Sequence, residues 1–258
     1  MSGVTHLIDK HVATVTFSNP ERYNAMSLAM WKGLGDTLEA LRANQEVRVV
    51  VLRGDGDRAF VSGADISEFD AQRNSDAGVA TYEAAVARAQ GALEQFPRPV
   101  IAAISGICYG GGLGLALACD LRFAAPSAKF RMPAARLGLG YTLAGVHRMV
   151  AILGTARTAE LFYTARVINA PQAAQFGLLN DVHDDVFAHA AQVAAEIAAN
   201  APMTVAAGKL ALNTLLEGVN DAGAAAVDAA VRACFASEDY AEGRKAFAEK
   251  RVPVFKGR

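Results

Sequence analysis

Polar and apolar positions alternate with a period of two near the start of the chain. In HVATVTFS, Ala13, Val15 and Phe17 fall on one side, and Thr14 and Thr16 on the other, as in a half-buried strand. Asp9-Lys10 reads as the hairpin turn that feeds it. The period then lengthens. Leu28, Trp31, Leu34, Leu38 and Leu41 share one helical stripe behind Ser27, a suitable N-cap. VRVVVLRG, residues 47–54, carries an unbroken apolar run at 49–52 between two arginines and predicts a buried strand. A second amphipathic helix spans about 79–96 and stops at Pro97-Arg98-Pro99; another buried strand follows at 100–104. A helix at 113–118 and short strands near 120–123 and 129–131 come next. From Leu143 to about Lys250 helical periodicity dominates, with one clear strand candidate at 180–183. Strand–helix alternation followed by a helical tail predicts an α/β fold. Eight strands of a closed βα barrel are not there in the last third.

Composition narrows the classes. The chain has 258 residues, 52% hydrophobic and 20% charged, and a formal net charge of −1. That balance fits a folded globular protein and gives no basic field for nucleic acid or anionic membrane. No run approaches the roughly 18 apolar residues a membrane span needs. Three scattered cysteines and five histidines without ligand spacing predict neither a disulfide framework nor a metal site, and a reducing, cytoplasmic setting is the simplest expectation.

The chemistry concentrates where ionisable groups are scarce. In ISGICYGGGLGLALACD, residues 104–120, Gly110 to Gly112 follow a buried strand and precede a helix. Glycine permits positive φ and close approach of a ligand, and a helix start offers free N–H groups. The same pattern also suits tight backbone packing at a strand–helix turn, and both readings stand at this point. The dinucleotide fingerprint is incomplete and no Gly-Lys-Ser/Thr follows. A second loop, within RAFVSGADISEF at 58–69, places Gly63-Ala64 after a strand-like stretch, with Asp65 and Ser67 as turn caps. Two such loops could each direct one N–H at a shared oxygen.

Taken together, NPERYNAMS (19–27), FVSGADISEF (60–69), GICYGGGLGLALACDLRFA (106–124), FRMPAARLGL (130–139), APQAAQFGLLNDV (170–182) and EGRKAFAEKRVPVFKGR at the C-terminus resemble the enoyl-CoA hydratase/isomerase (crotonase) superfamily in order and spacing. The resemblance implies a crotonase-like spiral of ββα units over residues 1–195 and a helical C-terminal trimerisation region over 196–258. It implies an acyl-CoA thioester as ligand, with coenzyme A as part of the substrate rather than a resident cofactor, and a homotrimer or dimer of trimers. By motif position it implies an oxyanion hole from the N–H groups of Ala64 and Gly111. Coenzyme A would lie along Arg22, Asn24 and Ala25 and along Arg58, Ala64, Asp65 and Ile66. Phe255 and Lys256 of a neighbouring subunit would close over the nucleotide end.

The same alignment shows what is missing. The two glutamates of the family's hydratases fall at Gly114 and Ala134. Acid–base catalysis by one placed group is worth about 10²–10⁴ in rate, so losing both predicts weak hydration. LGLGYTLAGVHRM, residues 137–149, and SEDYAEGRKAFAEKR, residues 237–251, are similar to methylmalonyl-CoA decarboxylases, which have a tyrosine at the place of Tyr141. Those enzymes typically have a histidine where this chain has Ala64. Loss of CO₂ yields an enolate without a base, so decarboxylation of a malonyl-type ester is the leading expectation. Hydration, isomerisation or hydrolysis with another acid or base, and acyl-CoA binding without turnover, are the alternatives. Tyr141 reads as an orienting phenol, or as an amphipathic pocket wall. His147 and Arg136 read as surface groups before substrate contacts. Glu68 and Asp70 read as solvated, Tyr109 as a pocket wall, Cys108 and Cys119 as buried apolar groups, and Ser237 as an N-cap.

Overall fold

The computed structural model describes residues 2–65 and 76–258. The expected hairpin is β1 (Gly3–Asp9) and β2 (Val12–Ser18), paired antiparallel around Lys10, whose φ is +54°. Helix α1 (Leu28–Ala43) follows, its first turn capped by Ser27, which accepts from the Met30 N–H. Leu34, Leu38 and Leu41 are buried on the predicted stripe.

A repeat begins here. Strand β3 (Val49–Gly54) and short β4 (Ala59–Val61) lead to α2 (Asp76–Glu94). Then β5 (Val100–Ile104) and β6 (Ile107–Tyr109) lead to α3 (Gly111–Ala118). Next, β7 (Leu121–Ala124) and β8 (Lys129–Arg131) lead to the one-turn α4 (Ala134–Leu137). In each ββα turn the first strand joins one sheet and the second joins another. Among the described residues the sheets run β1-β2-β3-β5-β7-β10 and β4-β6-β8-β9. β2, β3, β5 and β7 pair in parallel, as do β4, β6 and β8.

Side-chain alternation sorts the core. Val50, Leu52, Val100, Ala102 and Ile104 point into the main core with Phe17, Trp31 and Phe60. Val49, Val51, Ile101 and Ala103 point the other way, onto α7 (Val186–Ala199) through Val186, Ala190 and Ala194. Cover on both faces is why residues 49–52 carry no polar alternation.

The C-terminal half contains α5 (Leu143–Thr164), which breaks its helical geometry at Gly154, then β9 (Ile168–Asn169), α6 (Ala170–Gln175) and β10 (Asp181–Val182). β9 was not anticipated. A two-residue strand has no period to read, and only its pairing with β8 creates it. Helix α7 continues past residue 195, so the expected division falls inside it. Helices α8 (Pro202–Glu217), α9 (Asp221–Ala236) and α10 (Glu238–Glu249) complete the chain, Ser237 capping α10 as expected. Among the described residues no helix is long and apolar enough to cross a membrane.

Candidate active site

The parallel strands β4, β6 and β8 end side by side, and the three segments that leave them converge. The first is 62–65. Ser62 N–H donates to Tyr23 O at 3.1 Å, Met26 N–H to Gly63 O at 2.8 Å, and Asp65 N–H to Met26 O at 3.0 Å. This parallel bridge between Met26 and Ala64 uses the amides on either side of Ala64. The Ala64 N–H therefore faces away from Met26 and bonds to none of the described residues.

Buried side chains hold that loop. Asn24 has φ +57° and is almost wholly enclosed. Its amide donates to Ala59 O at 2.8 Å and Asp55 O at 3.1 Å, and its Oδ1 accepts from Asn19 N–H at 3.0 Å. Asn19 Nδ2 donates to Ala25 O and, at 3.4 Å, to the Asp65 carboxylate. Arg22 lies 3.5 Å from the other Asp65 oxygen.

The second segment begins at Gly110, which donates to Arg131 O at 2.9 Å and has φ +51°, a conformation that favours glycine. Gly111 opens α3, so its N–H has no intrahelical partner. Gly112 must be glycine for another reason: a Cβ there would collide with the Val61 carbonyl across the sheet. A Cβ on Gly110 would lie 3.6 Å from Pro133 Cγ and 4.0 Å from Gly63 Cα. A Cβ on Gly111 would lie 3.2 Å from Trp31 Cζ2. Trp31 is fixed in turn by its indole N–H, which donates to Tyr82 Oη at 2.9 Å. The Ala64 and Gly111 segments thus adjoin, each carrying an unused N–H at the carboxyl end of a parallel sheet, where such folds place ligands.

Two ionisable groups of β6, Cys108 and Tyr109, precede the second segment. Cys108 is fully buried, and burial pushes its thiol well above the usual range, so it offers no thiolate. Burial likewise raises the phenol of Tyr109, opposed by Arg131. The two positions at which the resemblance implies glutamates differ. Ala134 is buried beside Pro133. Gly114 is partly open, and Gly111 and Gly114, one turn apart, are the residues of α3 that are not buried. A Cβ on Gly114 would come 2.8 Å from Nε2 of Gln90, which lies on α2.

The remaining expected site residues are dispersed. Arg22 is exposed at the end of a single 3-10 turn. The Arg58 guanidinium stacks over the Tyr23 ring at 4.3 Å, giving a cationic, aromatic rim next to the 62–65 loop. Asn24 and Ala25 are buried, and their N–H groups donate to Asn19 O and Arg22 O at 2.9 and 3.0 Å. Ile66, Ser67, Glu68 and Asp70 lie outside the described residues. Tyr141 packs edge-on against Phe162 at 5.3 Å; its residue surface is 39% exposed, and the partial burial of the ring raises its phenol. His147 and Arg136 are exposed. Phe255 and Lys256 belong to a tail pinned to its own chain. Asp239 accepts from the Lys256 and Gly257 N–H groups at 2.6 and 2.8 Å, and Arg48 donates to Phe255 O at 2.8 Å. Phe255 lines cavities with Lys10 and His11 or with Gly243 and Phe247, away from Arg22 and Arg58 within one chain.

Trp31 and Gln90 were not anticipated at the site. Trp31 sat in a core stripe. Gln90 carried a readable signal, since it continues Tyr82 and Val86 at intervals of four on the inner side of α2.

With two adjoining strand ends offering unused amides beneath a cationic rim, comparison with known proteins becomes informative. A family model described as enoyl-CoA hydratase/isomerase matches residues 8–258, and the chain belongs to that family. It is 33% identical over 250 residues to the short-chain-enoyl-CoA hydratase of Clostridium acetobutylicum, covering 96% of this chain and 95% of that protein. The crystal structure of an enoyl-CoA hydratase/carnithine racemase from Magnetospirillum magneticum superposes with a TM-score of 0.93 at 36% identity, covering 100% of this chain and 97% of the other. That of an enoyl-CoA hydratase from Bacillus anthracis gives 0.93 at 32% identity, with 99% coverage of both. The fold is the crotonase fold, and the family acts on CoA thioesters.

Proposed function

We propose that the chain binds an acyl-CoA thioester with its carbonyl oxygen between the N–H groups of Ala64 and Gly111, and that its leading reaction is decarboxylation of a malonyl-type CoA ester. The observation that carries this reading is a pair of unused backbone donors on adjoining loops, beside two family positions, Gly114 and Ala134, that hold no carboxylate. The bond from Cα to the carboxylate carbon breaks. Its electron pair moves into an enolate whose oxygen accepts from both N–H groups, CO₂ leaves, and a proton from water is delivered to Cα. Preorganised donors of this kind contribute about 10²–10³ in rate each. No base is needed, in keeping with the empty positions. The Tyr141 phenol, kept neutral, orients the departing carboxylate.

Arg22 and Arg58 take the phosphates of coenzyme A, with the backbone of Asn24 and Ala25 and the segment Ala64, Asp65 and Ile66 beside them. Phe255 and Lys256 of a second copy close the nucleotide end in a homotrimer or dimer of trimers assembled through residues 196–258. Exposed Leu212, Leu215, Phe235 and Phe247 support that role for the tail. Free cysteines suit a cytoplasmic setting.

The hydratase names of the relatives favour a second reading, hydration or isomerisation with a group other than glutamate. Steady-state turnover of malonyl-, methylmalonyl- and crotonyl-CoA separates the two. CO₂ release from the first pair with slow crotonyl-CoA hydration is expected. Fast hydration that survives both Tyr141→Phe and His147→Ala overturns the decarboxylase reading.

A further inference from the structure

The open face of α3 has two positions, Gly111 and Gly114. They are one turn apart, about 4.5 Å along the axis at 1.5 Å per residue. The first supplies the amide assigned to the thioester oxygen. The second has no side chain, and its space is taken by the carboxamide of Gln90 on α2, 2.8 Å from where a Cβ would stand. Gln90 is half-buried and its side chain makes no hydrogen bond to any described residue, unlike Tyr82 two turns earlier on the same helix, which accepts from Trp31. A half-buried amide without a protein partner, one turn from a proposed oxyanion contact, is suited to a ligand.

We propose that Gln90 is a specificity-determining residue that touches substrate: its Nε2–H donates to a carboxylate carried on the acyl group near Cα. This rests on the oxyanion-hole reading above. A carboxylate on Cα sits within a few ångströms of the thioester oxygen, so an oxygen held at Gly111 brings the carboxylate toward Gly114 and Gln90. A neutral donor also suits the chemistry. A lysine or arginine would stabilise the carboxylate most strongly before it leaves, which raises the barrier. An amide directs it while stabilising the ground state less.

The test uses acetyl-CoA and sulfoacetyl-CoA, in which a sulfonate that cannot leave as CO₂ stands for the carboxylate. Calorimetric dissociation constants for the wild-type protein are expected to favour sulfoacetyl-CoA. Gln90→Leu, which keeps the volume and removes the amide, is expected to lower that preference about ten-fold, the loss of one hydrogen bond to a charged group. Gly114→Ala keeps Gln90 but displaces its amide from beside Gly114, and the preference falls in the same direction. Thermal melts of both variants exclude misfolding as the cause. A preference unchanged in both variants, with acetyl-CoA still bound, overturns the role of Gln90 and leaves the oxyanion hole standing. Equal wild-type affinities overturn the selectivity. Failure of the wild type to bind either ester overturns both the proposal and the reading beneath it.

Discussion

The two loops that present the unused amides solve one problem by opposite means. Loop 62–65 is held by side chains: Asn19, Asn24 and Asp65 are buried polar groups that bond to each other and to the backbone. Loop 110–112 is held by the lack of them, since the Val61 carbonyl comes where a Cβ of Gly112 would be. A hydrogen-bonded loop can lose one bond and sag. A close backbone approach admits no partial version, because a single methyl must move a strand.

Gly112→Val sets the upper end of that comparison. Its side chain has no room short of parting β4 from α3, so the cost exceeds the about 1–3 kcal/mol of ordinary overpacking. Little folded protein is expected, and a soluble variant with a wild-type melting curve would refute the packing account. Asn24→Ala is the middle case. It removes both amide donations and strands the Asn19 N–H, at about 1–3 kcal/mol for each buried group left unpaired. A lower melting temperature with a cooperative transition is expected, together with weaker acyl-CoA binding as Ala64 loses its alignment. Unchanged stability would show that the loop does not depend on its polar network.

Tyr141→Phe is the smallest, and it probes the proposed orienting phenol, outside both loops. Packing on Phe162 survives, so stability near neutrality changes by less than about 1 kcal/mol. A hydroxyl that orients substrate lowers kcat for malonyl-type esters about ten-fold, within the range for single hydrogen bonds. Burial raises the phenol's pKa above its ordinary value of about 10. The neutral form therefore prevails below pH 10 in the folded protein. Any stability gained from that shift is present below about pH 10 and is lost as pH rises through the raised value. A Tyr141-dependent inflection in kcat below pH 10 would contradict this placement.

Much of this is legible in the amino-acid sequence. The strand and helix periods gave β2, α1, β3, α2 and β5 because each is long enough to repeat its pattern. Gly110 to Gly112 after a buried strand announced a special turn, and the motif order gave the family. Short β6 and β9 go unread; β4, β8 and β10, equally short, read as strand-like stretches, but the neighbours each joins come only from pairing.

The sequence by itself determined the composition of the cradle: glycines and alanine in place of acids, with Gly114 and Ala134 empty of carboxylate. It also determined the hydrophobic periods, because these follow from covalent order alone. Tertiary structure decided which of these residues meet. Parallel pairing of β4 with β6 set Ala64 beside Gly111 across more than forty positions of chain, and packing of α2 over α3 put the Gln90 amide into the space left by Gly114. Neither contact has a local cause; both arise from the burial of two sheets and their helices around one core.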